Sequence, residues 1–258
     1  MSPAWALSEP PKTENPEDAK VAIDGIQVVE VREETGKAGT GKAETGTAGT
    51  EQGTDGPEPC AGGVIRDDGA TDYGYSFVPS STEAYYVQRF ERQDFPRATL
   101  DTACVCFFQK PPGGSADVKV VFFADAGGQP GDQPFAAVPG TVDQLGGRGK
   151  DSRLYEIDLG AVVLPEGTTT FWAGVSWNPS AERSLFSCAD RSKGTAIVPG
   201  FFKDDIDTQW RAFSATKDPM FKPHRSLLFR LRAAPEGADS KPAEPGAPKP
   251  SDVPETLE

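Results

Sequence analysis

The chain has 258 residues, with 28 Gly, 24 Pro and 36% hydrophobic residues, a low apolar share for a chain folded along its whole length. Its net charge is −13, but five Lys/Arg stand against twelve Asp/Glu in residues 1–59 and two against six in residues 233–258, which leaves −2 for residues 60–232. The acidity belongs to the ends and reads as solvation of disordered tails; no basic run points to a nucleic-acid partner, and no stretch of about 20 apolar residues can span a membrane.

In chain order, Ser2 to Lys20 is polar, proline-containing and without periodicity, so disorder is expected there. Ala4-Trp5-Ala6 has the small-x-small form of a signal cleavage site, and both a residual export signal and chance stay open. Val21 to Val31 (VAIDGIQVVEV) holds two short apolar runs around Asp24-Gly25, a strong tight-turn dipeptide. An isolated hairpin is marginal in water, so this one must dock on something or stay transient. Glu33 to Gly56 is low in complexity, built mostly from Gly, Thr, Ala, Glu and Lys, and reads as a flexible linker. Ala233 to Glu258 is Pro-rich and acidic and reads as an extended spacer.

Residues 60–232 carry roughly nine or ten short strand patterns separated by Gly, Pro, Asp and Ser, with no helical periodicity. The expected strands are Tyr85–Arg92, Leu100–Phe108, Val118–Phe123, Pro134–Val138, Leu154–Leu159, Thr169–Trp177, Ser184–Cys188, Thr208–Phe213 and Ser226–Arg232. Alternation puts Phe171, Ala173, Val175 and Trp177 on one side, and Leu227, Phe229 and Leu231 on another strand's apolar side. The fold class is therefore all-β, an antiparallel two-sheet sandwich over 60–232, flanked by tails at 1–59 and 233–258.

The four cysteines are Cys60, Cys104, Cys106 and Cys188. Cys104 and Cys106 lie two apart in a strand, so both face one way with Cα atoms roughly 6.5–7 Å apart, which disfavours a bond between them. Each can reach Cys60 or Cys188 instead. The even number favours two disulfides and an oxidising compartment, with the pairing open. A zinc site lacks knuckle spacing, and buried reduced thiols are the remaining reading.

His224 is the sole histidine, no G-x-S-x-G elbow accompanies it, and it reads as structural. Loop carboxylates at Asp67, Asp68, Asp125 and Asp132 are weak calcium candidates, since Ca²⁺ needs several converging oxygens; no other cofactor is expected. Tyr73, Tyr75, Tyr85, Trp172, Trp177 and Trp210 are candidates for a sugar-stacking platform. Trp177 is expected in the core, and Trp172, on the face opposite Phe171, is the ligand-stacking candidate.

RDDG at 66–69, VCFF at 105–108, VVFFADAGGQPG at 120–131, FWAGVSWNPS at 171–180, LFSCAD at 185–190 and DPMFKPHRSLLFR at 218–230 together resemble jelly-roll-like β-sandwich domains of exported bacterial proteins. The D-x-G-G-x-P-G loop is the most recognisable piece. The resemblance implies a sandwich in a secreted or cell-envelope protein and no catalytic residue. The expected role is a non-catalytic accessory or recognition module whose partner is a carbohydrate or a cell-surface protein. The alternatives are a purely structural domain and a hydrolase.

Overall fold

The computed structural model describes residues 21–23, 26–31, 60–77, 80–148, 151–182, 184–191, 196–215 and 224–236. The expected disorder of 1–20, 32–59 and 237–258 lies outside them. Fourteen strands follow one another: β1 (Val21–Ile23), β2 (Ile26–Glu30), β3 (Tyr73–Phe77), β4 (Ala84–Glu91), β5 (Thr99–Gln109), β6 (Ser115–Asp125), β7 (Pro130–Asp143), β8 (Arg153–Val163), β9 (Thr170–Trp177), β10 (Leu185–Asp190), β11 (Gly200–Asp204), β12 (Arg211–Ala212), β13 (Ser226–Leu227) and β14 (Phe229–Ala233). Two short 3₁₀ segments, Arg92–Asp94 and Phe213–Ala215, lie among the described residues. No described helix is long and apolar enough to cross a membrane.

All pairings are antiparallel and form two sheets, as the alternation predicts. The first sheet runs β1-β2-β3-β10-β5. One edge of β5 pairs with β10 through Phe107 to Gln109 and with β14 through Leu100 to Val105. β8 pairs with the same stretch of β5 and so takes its other edge. The second sheet is β12-β11-β4-β9-β6-β7. Between them Phe77, Tyr86, Phe90, Val105, Phe107, Val120, Phe122, Phe171, Val175, Phe202 and Leu231 form the core. Both sheets also carry buried apolar clusters on their outer faces: Val29, Val31, Cys106, Phe108, Phe186, Cys188 and Leu228 on the first, Val87, Val121, Phe123 and Trp172 on the second. A plain two-layer sandwich leaves those faces to water.

The structure differs from the sequence reading at both ends of the sandwich, between 200 and 213, and at Tyr73–Phe77, a strand that the sequence did not announce. The sandwich begins before Cys60, because β2 pairs with β3 from Ile26↔Phe77 to Glu30↔Tyr73 and sinks Ile26 and Val28 into the core. It also runs past Arg232, with the Ala234 amide donating to the Thr99 carbonyl at 2.9 Å. The run expected at Thr208–Phe213 is mostly loop, with only Arg211 and Ala212 in a strand, whereas GFFKD at 200–204 is a true strand.

Two polar devices hold the chain where β13 gives way to β14. Gln88 reaches across the core, its Nε2 donating to the Phe229 carbonyl at 2.9 Å and its Oε1 accepting from the Leu227 amide at 2.8 Å. Arg230 is buried against Asp67, with Nη2–Oδ1 at 2.7 Å and Nε–Oδ2 at 3.2 Å. This bidentate pair is nearly out of water on both sides. Asp67→Asn is expected to cost about 3 kcal/mol, because it removes the carboxylate that pairs with a buried guanidinium at two points. Chemical denaturation of the variant checks this, and a loss under 1 kcal/mol would show that water reaches the pair.

A candidate ligand groove on the outer face of the second sheet

β4, β9, β6 and β7 lie side by side, so alternate residues of each share the outer face. One half of that face is aromatic. Trp172 on β9 meets Phe201 of β11 edge-on at 5.0 Å, and Phe123 meets Tyr85 at 5.9 Å and Trp210 at 5.1 Å. Trp210 is carried over β11 by the loop that leads to β12 and is tied down by its indole N–H on the Gly131 carbonyl at 3.1 Å.

Trp172 is accordingly not a ligand-stacking residue: it is 0% exposed, and its Nε1 donates to Asp125 Oδ1 at 2.9 Å. The alternation placed it on the outer face correctly, but β11 and the Trp210 loop cover that face. Of the other stacking candidates, Tyr73, Tyr75 and Trp177 are buried and only Tyr85 and Trp210 are half exposed. Lys203 closes the aromatic half, its Nζ lying 4.5 Å from the Trp210 ring centre, 5.2 Å from Tyr85 and 5.5 Å from Phe123. Its ammonium donates to the Asp132 carbonyl at 3.2 Å. Burial pulls the Lys203 pKa below the usual lysine range, opposed by the charges of Asp132 and Glu83.

The other half is a groove of about 750 Å³ lined by Thr82, Glu83, Asp117, Lys119, Pro139, Thr141, Ser176 and Trp177 among others. That volume lies in the range of small-molecule sites. Lys119 Nζ and Glu83 Oε1 are 3.2 Å apart although their strands flank β9, so the ion pair crosses over β9 near Ser176. Both partners remain partly exposed, so the pair is weak and easily parted. Asp117 Oδ1 accepts from the Thr141 hydroxyl at 2.9 Å. Beneath lies Ser176, 0% exposed, whose Oγ has no hydrogen-bond partner among the described residues. A buried hydroxyl without a protein partner is costly unless water or a ligand supplies the missing hydrogen bond.

The weak calcium candidates do not converge. Asp67 is bound to Arg230 and to the Gly69 amide, Asp68 accepts from the Ala70 amide, and Asp125 holds Trp172 and the Gly128 amide. Asp132 lies instead beside Lys203, Gln129 and Gln133 in a smaller hollow. Among the described residues, the one group of three possible metal ligands is Cys60, Cys104 and Glu156. Its two cysteines are bonded to each other, and the second disulfide joins Cys106 to Cys188. The sequence placed Cys104 and Cys106 on one face, and β5 presents both outward to different partners.

His224 is buried, stacked on Phe213 at 4.2 Å, with its Nδ1 3.2 Å from the Tyr75 hydroxyl. Sequence reasoning did not single out Ser176, Glu83, Asp117 or Lys119. The groove is assembled from four strand ends far apart in the chain, and no local motif announces it.

No protein-family model matches the chain, and no curated protein matches it. Among the solved structures that match it are two at low similarity. One holds the cysteine protease and lectin-like domains of Cwp84, a surface layer associated protein of Clostridium difficile, with 10% identity and a TM-score of 0.44 over 63% of this chain and 34% of that one. The other is the clostridial cysteine protease Cwp84 after propeptide cleavage, with 12% identity and a TM-score of 0.40 over 63% of this chain and 44% of that one. The chain thus spans less than half the length of either.

Proposed function

We propose that the chain is a non-catalytic recognition module of a secreted or surface-exposed protein, and that its groove holds a short saccharide. The observation that carries this is the unpartnered Ser176 hydroxyl at the floor of a groove rimmed by Glu83, Asp117, Lys119 and Thr141. Together these side chains offer several acceptors and donors beside the exposed ring of Pro139, which suits a ligand with many hydroxyls. The two disulfides support an oxidising compartment. The one histidine is buried away from the groove and takes no part in it.

Titration calorimetry against a saccharide panel tests the reading. A binder is expected, with affinity falling roughly 10- to 100-fold in Asp117→Ala, the loss of one charge-assisted hydrogen bond. Ser176→Ala is expected to weaken binding by a smaller factor while leaving the melting temperature unchanged or raised. A panel with no binder, or binding indifferent to both substitutions, refutes it. The second reading, a purely structural domain, is favoured by the way Trp210 and Lys203 close the aromatic half of the face.

A further inference from the structure

We propose that β1 and β2 form an exchangeable strand pair that inserts either into the edge of its own sandwich or, reciprocally, into the same edge of a second copy of the chain. The edge is built to receive a strand. β2 pairs with β3 over five residues, and the Val31 amide adds a bond to the Asp72 carbonyl at 2.8 Å. Ile26 and Val28 fill the core side, while Val29 and Val31 join Phe186 and Leu228 on the outer side. Without β2, Tyr75 and Phe77 would lie at an open sheet edge, the surface on which strand addition between chains takes place.

The hold on this strand pair is wholly non-covalent. Both disulfides lie between Cys60 and Cys188, so neither reaches β1 or β2. The ion pair that ties β2 to the rest of the sheet is a loose one, Arg191 to Glu30 at 3.7 Å with both side chains more than a third exposed. Residues 32–59 join β2 to the body, and they contain no Val, Ile, Leu, Met or aromatic residue. The contour length of that many residues is roughly 90 Å, enough to reach a neighbouring copy.

The ladder and the buried side chains are the same whether the strand comes from its own chain or another. The choice is therefore set by concentration: a covalent connection of this length gives an effective concentration on the order of 1 mM, and crowding of copies above that favours exchange. A second copy fits the edge better than an unrelated chain, because the register from Ile26↔Phe77 to Glu30↔Tyr73 is already matched.

The test places a cysteine pair across the ladder at the partners Gln27 and Ser76, as Gln27→Cys with Ser76→Cys. After mild oxidation at increasing protein concentration, a denaturing gel without reductant is expected to show a covalent dimer whose share rises about fivefold or more between roughly 10 μM and 1 mM. The Ser76→Cys single variant should show none. Cross-links confined within one chain at every concentration overturn the proposal. Since added cysteines can disturb the native disulfides, a second measurement uses the unaltered protein. Isotope-labelled and unlabelled chains are mixed at about 1 mM, unfolded and refolded, and examined by native mass spectrometry. Hybrid dimers that vanish when residues 1–31 are deleted support exchange. Their absence, or their persistence after the deletion, overturns it.

Discussion

Removing both disulfides is expected to take away most of the stability of the folded domain. Cys60–Cys104 closes a separation of 44 residues and Cys106–Cys188 one of 82, so the chain-entropy account assigns roughly 4 kcal/mol to each. The two loops follow one another and do not overlap, so in that account their contributions add. Their sum, roughly 8 kcal/mol, is comparable to the whole free energy of a typical domain. At about 2–4 °C per kcal/mol for a domain of this size, the melting temperature should fall by roughly 15–30 °C in reductant. Thermal melts with and without a phosphine reductant give the answer, with Cys60→Ser/Cys104→Ser and Cys106→Ser/Cys188→Ser dividing the effect between the bonds. A fall of less than about 5 °C would mean that sheet packing alone carries the fold.

The second large effect is acid lability, and it comes from one residue. Burial holds the His224 pKa down to about 3, against about 6.5 in the unfolded chain. Above pH 6.5 the ring is neutral in both states and adds no pH dependence. Below it the unfolded chain takes up a proton that the folded one refuses, so stability falls with falling pH until the folded ring also titrates near pH 3. The slope is about 1.4 kcal/mol per pH unit and the total on the order of 5 kcal/mol. Urea unfolding at pH 6.5, 5.5 and 4.5 should show that slope. His224→Gln, which keeps a polar group near the Tyr75 hydroxyl, should flatten it over this interval. An unchanged slope in the variant would move the acid sensitivity to the carboxylates.

The strands were legible because alternation is a local property. FWAGVSW announces which of its side chains face the core, and the structure places Phe171, Ala173, Val175 and Trp177 there. What covers the opposite face is not local. Trp172 looks exposed on any two-layer reading, and it is buried because Phe201 and Trp210, 29 and 38 positions later, fold over it. The same reason hid β3, whose YGYSF run is short, glycine-containing and buried on both faces, while β11 is a five-residue GFFKD run that sets Phe201 and Phe202 on opposite faces and so lacks a polar alternation. Gly74 shows the cost of that double burial, since a Cβ there would stand 2.3 Å from the Phe108 ring. The reach of Cys104 and Cys106 followed from strand geometry, but the choice of partner depended on which strand became the neighbour of β5. The groove is further still from the sequence, because Glu83, Asp117, Thr141 and Ser176 meet only once four strands have found their register.

The placement of both disulfides on β5 has a mechanical consequence. Once the strands outside the two loops have been pulled from the sheets, tension enters at Cys60, crosses to Cys104, runs along the backbone to Cys106 and leaves through Cys188. Everything from 61 to 103 and from 107 to 187 lies in slack loops outside that line of force. Even with every hydrogen bond torn, the chain stops roughly 400 Å short of its full contour length. Within the folded domain, force can extend only what lies outside the two loops, β1 and β2 before Cys60 and the chain from the end of β10 through β14 after Cys188.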